Sequence, residues 1–463
     1  MDNRQQTHSG AQHSATTDYR GKPRYRILFA SLRPFVRLLT WLLFNYKPIR
    51  FHENKDQNYF ILSNHTGSLD PLFLTLSFDR PIFFVASDHL FRLGWVSKVL
   101  DYLVAPIPIV KSKLDLKALR VIRNELEAGR TVALFPSGNR SVAGPEEKIP
   151  PATGKLLKML KIPVLLFRLE GGYLTSPRWA KHHRRGKMSG SVVMHLTKED
   201  LEQHSAAELD DMLVRFLDAN PYSLPTRHKI KYRGCRPAEH LERVLYVCPG
   251  CQRLATLHSH KDLLSCSCGF AIRYTNTGQF APATWNPADQ LWSERYPNVE
   301  AFYSWQREHL AATFSETEPA AIPVDQVMFT DERESLTLTQ RARHNSHRIK
   351  GNLTLYINRL EYRDEKSGEV LAFALTDISD LSCIGPQRLQ FTDARDGSVY
   401  ESQNRQPRSA YKYIDVIQAI KQSALQAKVQ TKLAAEQNLD RQNHTAGAEE
   451  ASLTEETATT QAV

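Results

Sequence analysis

The sequence predicts an α/β domain, then a small four-cysteine module, then a mostly β domain closed by a C-terminal helix. Three observations lead there. Between residues 51 and 225 short apolar runs alternate with amphipathic stretches, the pattern of strands and helices taken in turn. Cys248-Pro249-Gly250-Cys251 is followed, after fourteen residues, by Cys266-Ser267-Cys268-Gly269. From about residue 324 to 425, strand-like runs are separated by turn residues at Asn358, Lys366-Ser367-Gly368 and Asp396-Gly397.

Composition bounds the rest. A chain of 463 residues has room for several domains, and 41% hydrophobic residues suit a folded core. No run of eighteen uninterrupted apolar residues occurs, so a conventional membrane-spanning helix is not indicated. The net charge is +10, which points to anionic partners: membrane headgroups, phosphorylated substrates or nucleic acid. Four of six cysteines fall in a metal-type cluster, which argues for a reducing compartment and against a disulfide framework. Residues 1–24 are polar, lack the apolar core of a secretory signal and read as disordered, as does the tail 431–463.

In chain order, residues 25–50 come first. Arg33 and Arg37 share one helical face, while Leu28, Leu32, Phe35, Leu39 and Leu42 cover another. With Trp41 and Tyr46 nearby, this suits a helix lying in a membrane interface, kinked at Pro34; the alternative is a core helix of a soluble domain. Asn58-Tyr59-Phe60-Ile61-Leu62 reads as a buried strand and Asp70-Pro71 as a helix start, with proline where a missing N–H costs nothing. The turn between them holds Asn64, His65 and Asp70, so the carboxylate can come back to the imidazole. A carboxylate on one ring nitrogen fixes the tautomer and supports the imidazolium formed when the other nitrogen takes a proton. Further strands are expected at 81–86, towards Lys111, at 131–135, 162–169 and 191–196. Helices are expected at 115–128, 152–160 and 206–217, with a domain boundary at Pro221–Pro225. After the strand at 131–135, Phe135-Pro136-Ser137-Gly138-Asn139-Arg140-Ser141 forms a polar loop. Gly138 permits a tight turn whose N–H groups can face an anion, and Arg140 carries a fork matched to phosphate.

Asn64-His65 with Asp70, and the loop from Phe135 to Ser141, together resemble two ordered motif blocks of the glycerolipid acyltransferases, whose type members acylate lysophosphatidic acid. The likeness spans roughly residues 25–225. Asn64, His65 and Asp70 match the first block fully. In the later block Phe135, Pro136, Gly138, Arg140 and Ser141 match, while Ser137 stands where that family has Glu and Asn139 where it has Thr. The resemblance implies an α/β acyltransferase domain over 51–225. It implies His65 as general base, Asp70 as its orienting partner, and acceptor contacts from Asn64, Lys111, Ser137, Gly138, Asn139 and Arg140. Lys111 sits where the family has a phosphate-holding Arg; Lys113 is an equal candidate on charge. Glu170-Gly171-Gly172-Tyr173 loosely resembles a fourth block linked to the acyl donor. The implied reaction moves a fatty acyl chain from acyl-CoA or acyl-carrier protein to a lysophospholipid hydroxyl, 1-acylglycerol 3-phosphate above all, at a membrane and on its cytoplasmic face. It needs no catalytic metal. The rivals are an acyltransferase for another lipid acceptor and a catalytically altered membrane scaffold or binding protein.

The basic loop Arg178–Lys187 could hold a CoA diphosphate, an acidic carrier protein or headgroups, or simply be solvated. Cys248, Cys251, Cys266 and Cys268 can complete an all-sulfur tetrahedral zinc site in a ribbon at 240–275, with His258 and His260 left solvated and Cys235 and Cys383 as ordinary thiols. Four thiolates leave no open position, so the metal is read as structural. The ribbon lacks an array of basic and aromatic residues on one face, and no nucleic-acid partner is expected. Residues 279–323, rich in aromatics, read as a helical connector. Strand-like runs through 324–430, with a helix from about Ser409 to Val429, resemble the pleckstrin-homology-like (PH-like) architecture. Lipid binding, protein contact and autoinhibition remain equally open there.

Overall fold

The computed structural model describes residues 22–87, 95, 102, 104–109, 116–151, 153–223, 229–316, 322–339, 348–427 and 429–430. The predicted disordered termini, apart from their inner edges, and Lys111 and Lys113 lie outside these. By contact density the chain forms two units, residues 1–245 with 257–303, and residues 246–256 with 304–463.

The first unit opens with helix α1, Pro23–Phe44, a single helical run with Pro34 inside it. Strand β1, Tyr46–Pro48, follows at once, so the stretch 25–50 is a helix and then a strand. A seven-stranded sheet is built from β1, β2 (Phe60–Ser63), β3 (Ile82–Ser87), β4 (Ile107–Ile109), β5 (Thr131–Leu134), β6 (Val164–Glu170) and β7 (Met188–Leu196). The strand order is β1-β7-β6-β2-β5-β3-β4, parallel throughout except for the β6–β7 pair. The central strand β2 is apolar at every position but the last, as a strand covered on both faces must be.

Successive residues of these strands feed opposite cores. Phe60, Leu62, Val132, Leu134, Val164 and Leu166 pack on one face against Ile122 and Leu126 of α3 (Leu116–Glu127), Leu156 and Leu157 of α4 (Thr153–Leu160), and Leu209, Leu213 and Leu217 of α7 (Ala206–Leu217). Ile61, Ala133, Leu165 and Phe167 pack on the other face with Phe44, Tyr46, Phe73 and Leu74, the last two from the short helix α2 (Asp70–Thr75). A one-turn helix α5 (Gly172–Thr175) follows β6, and α6 (Lys198–Gln203) precedes α7. Ser205 caps α7 in a capping box with Glu208.

Tyr222 and Tyr232 pack with Tyr173 and Leu174, so the chain past the expected boundary at Pro221–Pro225 stays with the first unit. A four-stranded sheet continues it: β8 (Leu257–His260), β9 (Leu263–Cys266), β10 (Ala271–Tyr274) and β11 (Phe280–Pro282). The predicted connector therefore starts with a strand. It goes on as α8 (Pro287–Arg295), capped by the Asn286 side chain, and α9 (Val299–Glu316).

The second unit is a seven-stranded antiparallel sheet: β12 (Val327–Thr339), β13 (Arg348–Tyr356), β14 (Arg359–Asp364), β15 (Val370–Ala374), β16 (Ile378–Ile384), β17 (Arg388–Asp393) and β18 (Val399–Gln403). Its order is β15-β14-β13-β12-β18-β17-β16. Two strand-like stretches of the sequence, Met328–Thr330 and Ser335–Thr339, belong to one strand, β12, irregular between Asp331 and Glu334, where Arg333 is left-handed at φ 58°. Such an irregularity breaks the period-two pattern and makes one strand look like two. Helix α10, 411–427, buries Tyr413, Val416, Ile417 and Ile420.

Candidate active site

His65 stands just past β2 and Asp70 begins α2. His65 Nδ1 lies 2.9 Å from Asp70 Oδ2. The same oxygen accepts the backbone N–H groups of Thr66 at 2.6 Å and Gly67 at 2.8 Å. Asp70 is 1% exposed, so the two amide donors stand in for lost water and hold the carboxylate still. An acceptor at Nδ1 puts the ring proton there and leaves Nε2 as the basic nitrogen. The His65 ring stacks on Phe135 with centroids 4.3 Å apart and keeps 20% of its side chain exposed. Nε2 has no hydrogen-bond partner among the described residues.

The loop after β5 is tied to this turn. Ser141 N–H donates to the His65 carbonyl at 2.9 Å, which joins the two motif blocks directly. Gly138 has φ 64°, the left-handed turn that glycine permits. Ser137 is buried, and its hydroxyl donates to Glu146 at 2.6 Å. Glu146 also accepts the His65 backbone N–H at 3.1 Å. Burial pushes the Glu146 carboxyl up to about 8; the Ser137 and His65 donors work against this, and the nearby Asp70 charge adds to it.

Glu146 is the residue that sequence reasoning missed. Ser137 stands where the resembled family carries Glu; the acid that meets its hydroxyl here lies nine positions on. A signal existed, since Glu146 and Glu147 are the sole acids between Thr131 and Leu169.

Asn64, expected to meet substrate, is engaged within the fold. It is fully buried, its amide donates to Leu169 O at 3.0 Å, and its carbonyl accepts Leu169 N–H at 2.8 Å. Both ends of the amide are thus spent bracing β2 against β6. Asn139 and Arg140 are partly exposed at the loop.

The fourth block has a steric reason. A Cβ at Gly172 would lie 2.2 Å from Thr66 Oγ1, so only glycine lets the end of β6 pass the turn that holds Asp70. The basic loop 178–187 is not uniformly solvated. Arg184 is buried, with its guanidinium 5.1 Å from the Trp179 ring centre and 4.8 Å from that of Tyr274.

The ligand atoms of Cys248, Cys251, Cys266 and Cys268 all lie within 4.8 Å of one another. Four thiolates on a tetrahedral zinc would sit about 3.8 Å apart, from a Zn–S bond of about 2.3 Å. The donor set therefore fits a closed four-sulfur site. Desolvation opposes ionisation of Cys251, but hydrogen bonds with Arg253, Cys248 and Thr256 outweigh it and bring the thiol down to about 6.

Residues 48–166 match the family model described as Acyltransferase. The chain thus carries an acyltransferase-family domain, and the resemblance to glycerolipid acyltransferases read from the motif blocks is borne out over that stretch. No curated protein matches the chain. Among solved structures, the chain is similar to the 1-acyl-sn-glycerophosphate (LPA) acyltransferase PlsC of Thermotoga maritima at 18% identity and TM-score 0.34, covering 44% of this chain and 87% of that one. It is also similar to the N-terminal PH domain of Vps36, at 16% identity and TM-score 0.17, over 21% of this chain and 80% of that one.

Proposed function

We propose that this protein transfers a fatty acyl chain from acyl-CoA or acyl-carrier protein to the free hydroxyl of a lysophospholipid, with 1-acylglycerol 3-phosphate as the acceptor. The acyltransferase family match supports the reaction class. The observation that carries the mechanism is the His65–Asp70 pair, 2.9 Å apart, its carboxylate pinned by two backbone donors and its Nε2 unengaged.

Nε2 takes the acceptor's hydroxyl proton as the oxygen attacks the thioester carbonyl. Asp70 keeps the ring in register and supports the positive charge that forms. The tetrahedral intermediate then expels the thiolate, and the proton passes from Nε2 to the leaving sulfur. Arg140 holds the acceptor phosphate, with Lys111 assisting. The four cysteines hold zinc, which braces the ribbon and takes no part in transfer. The C-terminal strand order with one closing helix supports the PH-like reading of residues 324–430.

Helix α1 holds the protein at the cytoplasmic face of a membrane. Ile27, Phe35, Leu38, Trp41, Leu42 and Leu43 are all exposed on it, Ile27 by 65% and Phe35 by 64%. Leaving that many large apolar groups half in water forgoes roughly 1 kcal/mol each, together a sizeable fraction of the stability of a domain. The helix has 22 residues and is apolar enough on length and composition to cross a bilayer, although no uninterrupted apolar run marks it in the sequence.

The test is purified protein with labelled acyl-CoA and a panel of lysolipids, products read by mass spectrometry. His65→Ala is expected to lose transfer by about 10²–10⁴-fold with unchanged melting and zinc content. Full turnover by that variant would remove the mechanism.

A further inference from the structure

Two segments outside the stretch matched to the acyltransferase family carry a disproportionate share of the chain's charge. Residues 178–187 and 229–236 hold nine lysines and arginines and no acid, against a net charge of +10 for all 463 residues. The fold brings them side by side. Arg185 N–H donates to Arg233 O at 2.7 Å, and Arg233 N–H returns a bond to Arg185 O at 2.9 Å, a lone antiparallel bridge.

Of the nine, Arg178 and Arg184 are buried inside the unit. Lys181, Arg185, Lys187, Lys229, Lys231, Arg233 and Arg236 are exposed. Glu239 faces two of these, Lys181 at 3.7 Å and Arg236 at 3.4 Å. The other five have no carboxylate partner among the described residues. Like charges set opposite each other across a strand pair are destabilising. The bridge sets Arg185 opposite Arg233 in a seam and so gathers positive charge that an external anion would balance.

The position of the seam identifies the anion. Arg185 Nε donates to Leu42 O at 2.9 Å, at the C-terminal end of α1. That last turn has no basic residue of its own, and Arg185 supplies the cation its carbonyls favour. Trp41, Leu42 and Leu43 are exposed in the same turn. The seam is thus anchored to the end of the helix that carries the unit's exposed apolar face.

We propose that Arg185, Lys187, Lys229, Lys231 and Arg233 form a docking surface for anionic phospholipid headgroups, separate from the acyl-acceptor site. Helix α1 supplies apolar attachment to any bilayer, and the seam makes that attachment selective for negatively charged ones. This rests on reading α1 as membrane-embedded and is independent of the acyl-transfer reading.

The test is sedimentation of the full-length protein with vesicles of phosphatidylcholine alone and of phosphatidylcholine mixed with phosphatidylglycerol. The wild type should bind the mixed vesicles more tightly, and added salt should erase the difference. The triple variant Lys229→Gln, Lys231→Gln, Arg233→Gln should lose about a hundredfold in affinity for mixed vesicles, taking about 1 kcal/mol per basic residue. It should bind phosphatidylcholine as the wild type does, melt normally, and acylate detergent-dispersed lysolipid at the normal rate.

Wild-type affinity of the variant for mixed vesicles overturns the proposal, as does a wild type indifferent to phosphatidylglycerol. Loss of salt-dependent DNA or RNA binding in the variant, with vesicle binding intact, overturns it in favour of a nucleic acid. Loss of transfer in His65→Ala with vesicle selectivity intact separates the fate of the two readings.

Discussion

Around Asp70, the ring of His65 and the backbone amides of Thr66 and Gly67 converge on one carboxylate oxygen, with the Thr66 hydroxyl at its edge. Around Glu334, in the second unit, Arg408 reaches the carboxylate through Nε and, at 2.8 Å, through Nη2, while Asn404 donates at 3.0 Å and Ser402 donates as well. Beside it Lys412 donates to Asp331 at 2.6 Å and Tyr413 at 2.8 Å. Both clusters bury charge, yet they differ in one respect. The first ends in a ring with a free basic nitrogen and a fifth of its side chain exposed. In the second, Glu334, Arg408 and Lys412 are all enclosed, and burial pushes the Lys412 ammonium down despite Asp331. The open cluster has somewhere to send a proton. The closed one can only hold its strands together, and it does so at the irregularity in β12, where regular pairing fails.

The comparison can be broken in four ways. Asp70→Asn should lower turnover most, by about 10²–10⁴-fold, because an amide can present its NH₂ to Nδ1 and favour the wrong tautomer. Kinetics beside a melting curve would show the loss confined to turnover. Arg408→Ala should do the reverse, destabilising the second unit by about 3–5 kcal/mol, since Glu334 is left charged and buried. Replacing both partners, as in Glu334→Leu with Arg408→Met, should restore most of that in a denaturant titration. If the double variant were as unstable as the single one, the cluster would be more than a structural clasp.

Gly172→Ala touches neither charge but drives a Cβ into Thr66 Oγ1, and misplacing the turn should cost about ten- to a hundredfold in turnover, with modest change in melting.

The smallest effect concerns Glu146. Its carboxyl is raised to about 8, so the folded state keeps a proton that the unfolded chain loses from pH 4.5 upward. The stability tied to that proton is whole below the ordinary carboxylate range and drains away as pH rises through about 8. Melting of the wild type relative to Glu146→Gln should fall across that window and level off above it; parallel curves would mean that Glu146 ionises normally.

What could be read from the sequence follows from locality. Asn64-His65, Asp70 and the loop from Phe135 to Ser141 are runs of a few residues, and a strand–turn–helix places such runs without help from afar. Glu146 escaped because its role depends on a loop folding back across nine residues, which no periodicity records. The bracing contact of Asn64 escaped for the same reason, since its partner is Leu169, 105 positions away.

The sequence alone determined the α/β alternation, the clustered cysteines and the acid–imidazole spacing, because each arises from covalent neighbours or short-range geometry. Tertiary structure alone decided that α1 would keep its apolar face bare, that Glu146 would sit under His65, and that Arg185 would meet Arg233. Those outcomes depend on which distant surfaces exclude water from one another, and burial is a property of the folded whole.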